Sequence, residues 1–134
     1  MKDCYCCNYK KNKDIILFEN DYAACIVVGD PVLVNSCVII PVAHKQSPFD
    51  LSQEEWSATK DLLDKAKKYL DDTCHPDGYN LGWNIGIVAG QIEPHAHLHV
   101  IPRFKDEPFA GKGIRHWFKK EENRRLSKKG IINK

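Results

Sequence analysis

The sequence predicts an α+β fold, an antiparallel sheet of about five strands carrying one main amphipathic helix. Two observations carry this. Short apolar runs, two of them with strict two-residue alternation, flank a single segment whose apolar residues recur every three or four positions. Two strands, a third strand, one helix and then two strands, in that chain order, make an α+β plan with an antiparallel sheet.

Taken in order, "DIILFEN" and "YAACIVV" flank Glu19-Asn20-Asp21 and read as a hairpin, and "SCVIIPV" is a third strand that stops near Pro41. The period then changes. In "DLSQEEWSATKDLLDKAKKYLDD", Trp56, Thr59, Leu62, Leu63, Ala66, Tyr69 and Leu70 fall on one helical stripe, placing a helix at about 52–72. Ser52 followed by Glu55 is a capping box that marks its start. Pro76, Asp77 and Gly78 form the turn after it. "YNLGWNIGIV" and "HAHLHVIP" supply two further strands, joined by a loop around "AGQIEP". No repeat or linker interrupts residues 1–134, so a single domain is expected, with a basic irregular or helical tail from about residue 111.

The chain has 134 residues, 43% of them hydrophobic, enough for one packed core. The polar start "MKDCYCCNYKKNKD" is no signal peptide and no run reaches membrane-span length, so an intracellular, cytoplasmic protein is expected. In a reducing compartment six cysteines point to metal or burial, not disulfides. Cys25 and Cys37 sit in strand-like runs and read as core residues, whereas Cys4, Cys6 and Cys7 cluster in a polar segment that burial does not explain. The net charge of +2 is uneven, because nine Lys or Arg from Gly111 onward face only Glu121 and Glu122. Such a tail can steer phosphorylated ligands, but no aromatic-basic module accompanies it, which counts against nucleic acid as the partner.

Three of the six histidines lie in "PHAHLHVIPRF". Alternation puts His95, His97 and His99 on one strand face and Ala96, Leu98 and Val100 on the other. A strand rises about 3.3 Å per residue, too much for all three imidazoles to share one ion without bending. One end of the row is therefore assigned to metal and the remainder to chemistry. Cys4 and Cys7, spaced C-x-x-C, with His44 and His95 would make a closed tetrahedral Cys2His2 zinc site; spacing alone leaves equally open that these residues are unrelated, and Cys6 confuses the choice of thiolates. A neutral imidazole is also a competent nucleophile toward phosphorus. Just upstream, Asn84, Gly86, Gly90 and Gln91 offer amide and backbone N–H donors of the kind that hold an anion.

The run "HAHLHVI" at residues 95–101 matches the His-φ-His-φ-His-φ-φ signature of the histidine triad (HIT) family, and "GWNIGIVAGQIEPHAHLHVIPR" resembles that family almost continuously. The similarity spans roughly residues 4–110. It implies a nucleotide hydrolase that cleaves nucleoside phosphoramidates or dinucleoside polyphosphates at the α-phosphate. His97 would be the nucleophile, forming a nucleotidyl-histidine that water resolves, and His99 would contact the phosphate. Asn84, Gly90 and Gln91 match positions near the phosphate. Cys4, Cys7, His44 and His95 match the structural zinc set of bacterial-type members. A purine nucleotide substrate and a homodimer with sheets joined side by side are also implied. Three positions depart from the pattern: Asn35-Ser36 replaces a Gly-His pair, Ile92 follows Gly-Gln where many members have Ser or Thr, and Val28 stands where an acidic residue commonly holds the ribose, with Asp30 two places later as its substitute. Ser36 and Ile92 favour the alternative of a nucleotide-binding or interaction protein with weak or vestigial hydrolysis. Lys112 or Arg115 could add charge at the phosphate and Trp117 could stack on a base, although a core or interface role suits Trp117 equally.

Overall fold

The computed structural model describes residues 3–133. An N-terminal stretch of 3-10 turns over Cys6–Lys11 and Lys13–Ile15 leads into β1 (Ile16–Glu19) and β2 (Ala23–Val27). Strand β3 (Cys37–Pro41), helix α1 (Gln53–Cys74), β4 (Gly78–Trp83) and β5 (Leu98–Arg103) follow. The five strands form one antiparallel sheet in the order β1-β2-β3-β5-β4, the α+β plan expected from the sequence.

The β1–β2 turn is made by Asn20, whose side-chain oxygen accepts from Tyr22 N at 3.0 Å and Ala23 N at 2.8 Å. Such an Asx turn satisfies backbone donors that the hairpin would otherwise leave unpaired. Its amide nitrogen also donates to Ala58 O, tying the hairpin to α1.

Helix α1 starts as its capping box requires. Ser52 Oγ accepts from Glu55 N at 3.1 Å, and in return the Glu55 carboxylate accepts from Ser52 N at 2.8 Å. It runs two residues beyond the expected end, to Cys74, and His75 closes it in the left-handed conformation at φ 49°. Ala58, Leu62, Ala66 and Leu70 pack on one sheet face with Ala23, Cys25, Cys37, Ile39, Leu98 and Val100. Trp56 and Tyr69 keep to the periodicity yet sit on the rim, 42% and 41% exposed, in edge-to-face contact with Trp83 and Phe18.

Alternation along the strands sends Ala24, Ile26, Val38 and Ile40 to the other face, which Cys4, Cys6 and Tyr9 cover. One sheet therefore carries a helix on one side and the N-terminal turns on the other. Two strand boundaries differ from the expected ones. Gly78 opens β4 instead of belonging to the preceding turn, and β5 begins only at Leu98. His95 and Ala96 are both buried, alternation holds only from Ala96 onward, and the stretch before Leu98 leaves the sheet ladder, because Ala96 N bonds to Lys45 O at 2.7 Å in the segment after β3. The tail beyond residue 111 is a series of turns with one short 3-10 segment, Glu121–Asn123.

Candidate functional site

Leaving the ladder lets the histidine row serve two purposes. His95 is fully buried, and its Nε2–H donates to Pro41 O at 2.8 Å. A carbonyl can only accept, so the proton is on Nε2 and the Nδ1 lone pair is available on the other side of the ring. That Nδ1 lies 3.2 Å from His44 Nδ1, 3.4 Å from Cys4 Sγ and 3.5 Å from Cys7 Sγ, and Cys7 Sγ is 3.2 Å from His44 Nδ1. All four donor atoms fall within 4.8 Å of one another. A tetrahedron with Zn–N near 2.0 Å and Zn–S near 2.3 Å has edges of about 3.3–3.8 Å, close to these separations.

The His95 Nδ1 lone pair, the His44 ring nitrogen and two cysteine sulfurs converge at ligand-to-ligand spacing, so the donor set fits a metal. Cys7 N donates to Cys4 Sγ at 3.4 Å, a bond that stabilises a thiolate. Without a cation, burial pushes the Cys4 thiol up to about 11 and lowers the His95 imidazole from its usual value. The cage chooses its thiolates by geometry. Cys6 points away from it into a neighbouring cavity, where burial pushes its thiol up to about 12.

His97 faces that cavity with the opposite nitrogen. Its Nδ1–H donates to the backbone oxygen of His95 at 2.8 Å, which leaves the Nε2 lone pair for chemistry. The His99 ring stands edge-on to it, centroids 4.8 Å apart. His99 Nε2 is buried without a hydrogen-bond partner, and burial, then the nearby His97, lowers the His99 pKa so that it stays neutral. The cavity holds about 260 Å³. Ile26, Val28 and Val38 make its apolar wall, and Tyr5, Cys6 and Glu93 face them. Glu93 Oε1 accepts from Tyr5 N at 3.0 Å, joining the metal-binding turn to the triad segment. Cys6 stood out in the sequence only as a rival thiolate, and Glu93 not at all; only its proximity to His95 in the chain could have pointed to it.

The other predicted site residues have different surroundings, and among the described residues none of them lines this cavity. Gln91 is buried and spends its amide on main chain, accepting from Gly86 N and donating to Gln46 O and Glu93 O. It shapes the 86–91 loop. Gly90 adopts φ 93°, and a Cβ there would meet Asn84 Nδ2 at 3.7 Å. Asn84 follows directly on the Trp83–Leu98 pair and so comes level with His97. Ser36 is buried two residues before Val38, the partner of His99, and therefore lies on the histidine side of the sheet. Asp30 caps its own loop, accepting from Val32 N and Leu33 N at 2.7 Å, and those bonds lower its pKa. Ile92 is 95% exposed.

Lys112 and Trp117 border a different hollow beside Arg103. Arg103 is committed there to Glu107, Asn80 and the carbonyls of Phe109 and Lys112, so that hollow is a structural joint for the tail.

The HIT domain model matches residues 9–106, more than half of the chain. An uncharacterized HIT-like protein of Mycoplasma genitalium is 31% identical over 108 residues, 81% of this chain and 74% of that protein. An adenosine 5'-monophosphoramidase of Schizosaccharomyces pombe is 30% identical over 83 residues, 62% of this chain and 59% of that one. The crystal structure of a HIT family protein from Bacillus anthracis superposes with a TM-score of 0.71 at 28% identity, covering 78% of this chain and 75% of that one.

Proposed function

This chain belongs to the HIT family, and from that premise we propose that it is a nucleotide phosphohydrolase whose nucleophile is His97 Nε2. The observation that carries the reading is the 2.8 Å bond from His97 Nδ1–H to His95 O, which fixes the tautomer with its lone pair facing the cavity. The substrates are nucleoside phosphoramidates or dinucleoside polyphosphates, with a purine nucleoside in the 260 Å³ cavity against Ile26, Val28 and Val38.

In the first step Nε2 attacks the α-phosphorus and a P–Nε2 bond forms. The P–N or P–O bond to the leaving group breaks, and the leaving group departs with that electron pair and takes up a proton. Water then attacks the same phosphorus, the P–Nε2 bond breaks, and the nucleoside monophosphate is released with neutral imidazole restored. His99, kept neutral by burial, directs its unpartnered Nε2 toward the phosphate region and supplies the proton relay. The 86–91 loop spends the N–H groups of Gly86, Ala89, Gly90 and Gln91 on its own closure, which leaves those of Ile87 and Val88, with Asn84, as the donors offered to the phosphate oxygens. Asp30 and Ser36 contribute from the rim by ordering the 28–36 loop beside Val28.

Cys4, Cys7, His44 and His95 would hold a structural zinc ion, which supplies cross-linking of the N-terminal turns to the triad segment and no reacting group. The protein acts as a homodimer in the cytoplasm, the exposed edge of β4 being the strand available for sheet continuation.

The deciding experiment compares native protein with His97→Ala on adenosine phosphoramidate and on diadenosine tetraphosphate. Native turnover that falls at least about a thousandfold in a folded variant supports the reading. Equal turnover by both overturns it, and nucleotide binding without turnover by the native protein establishes the binding-protein alternative that Ser36 and Ile92 favour.

A further inference from the structure

We infer that Glu93 selects the base, and that the cavity is built for guanine in preference to adenine. This rests on the proposed nucleotide-hydrolase reading and adds the identity of the nucleoside.

Most of the cavity wall is indifferent to base identity. Ile26, Val28 and Val38 offer apolar surface that any flat heterocycle covers equally well. His97 is committed to the phosphate end, and His99 stands directly against it. Among the described lining residues this leaves Glu93 as the one carboxylate, with no Lys or Arg beside it. A carboxylate only accepts hydrogen bonds. It therefore distinguishes bases by the donors they turn toward it. Guanine presents N1–H and the N2 amino group side by side, matching the two carboxylate oxygens as a bidentate pair. Hypoxanthine presents N1–H alone. Adenine presents one amino hydrogen next to the N1 lone pair, which a carboxylate repels.

The carboxylate is held in place before any ligand arrives. Tyr5 N donates to Oε1 at 3.0 Å and the Cys4 side chain also comes within hydrogen-bond reach of the carboxylate, whose remaining lone pairs are open to a ligand. Gln91 Nε2 also grips the Glu93 backbone oxygen at 3.1 Å, so the residue is fixed at both backbone and side chain. Pre-positioned acceptors of this kind discriminate strongly, because a ligand lacking the matching donors leaves them unpaired.

The test is titration calorimetry of the zinc-loaded protein with guanosine, inosine and adenosine 5'-monophosphates, repeated on Glu93→Gln. The substitution keeps the size of the side chain and an oxygen for Tyr5 N, while its amide now offers the acceptor-and-donor pair that complements adenine. The expected order in the native protein is guanine, hypoxanthine, adenine, with guanine bound about tenfold or more tighter than adenine. In the variant that ratio collapses or inverts. Equal affinities in the native protein, or a ratio that Glu93→Gln leaves unchanged, would overturn the inference while leaving the hydrolase reading intact. No binding of any of the three would remove both.

Discussion

His95 and His97 turn opposite ring nitrogens to their surroundings. His95 gives Nε2–H to Pro41 O and aims Nδ1 into the cage, whereas His97 gives Nδ1–H to His95 O and aims Nε2 into the cavity. Two neighbouring imidazoles thus hold opposite tautomers, each set by one carbonyl at 2.8 Å. The first is suited to a metal and the second to phosphorus.

The cage predicts one zinc ion per chain. Elemental analysis of purified protein should find it, and Cys7→Ser should lose most of it. Zinc at about a thousand times its Kd should stabilise the fold by about 4 kcal/mol, read as the difference in denaturant midpoint with and without chelator. An identical midpoint in both conditions would show that the four donors hold no structural metal.

Acid should destabilise the metal-free protein in a defined range. Burial lowers the pKa values of His95 and His99 from the usual 6.5 of histidine. Below that value the unfolded chain binds more protons than the folded one, so the stability present above it is lost as pH falls. Urea melts between about pH 8 and pH 5 should show the midpoint level above 6.5 and declining beneath it, with a shallower decline in His99→Gln.

Gly90→Ala should distort the loop beside the phosphate. Its φ of 93° disfavours any side chain, at a cost of roughly 1–2 kcal/mol. The new methyl group would meet Asn84 only in ordinary contact at 3.7 Å, so the backbone conformation carries the effect. Turnover should drop about tenfold by misplacement of donors, while zinc content stays that of the native protein. Unaltered kinetics would separate this loop from the reaction.

Ser52→Ala supplies the contrast. It removes the bond to Glu55 N and should cost about 1 kcal/mol of stability with kcat unchanged. A large loss of activity at unchanged stability would mean that α1 takes part in catalysis.

The fold could be read where local chemistry and long-range packing agree. The Ser52–Glu55 box and the Leu62, Ala66 and Leu70 stripe needed no partner to be recognised, and both appear in the structure. The stripe overreached at Trp56 and Tyr69, because periodicity reports a face but not its width. Alternation separated buried Ala96 and Leu98 from half-buried His97 and His99, but it missed that His95 is buried as completely as Ala96. It could not reveal that the Ala96 N to Lys45 O bond withdraws this stretch from the ladder, since that bond joins segments about fifty positions apart. Gln91 has the chemistry of a ligand donor, but its three main-chain partners become known only once the loop is closed. Glu93 was missed for a related reason. Its role depends on Tyr5, a residue 88 positions away.

The strand order has a consequence for synthesis. Strand β4 is made before β5, yet β5 is its sole sheet neighbour and stands between it and β3. A growing chain that has emerged only as far as Trp83 has three strands, a helix and an orphan ribbon with nothing to pair with. Insertion of residues 98–103 then docks β4, closes the sheet against β3 and brings His97 and His99 up to the cavity in one event. On the ribosome the cavity and its two histidines should pass from absent to complete within the translation of about twenty codons.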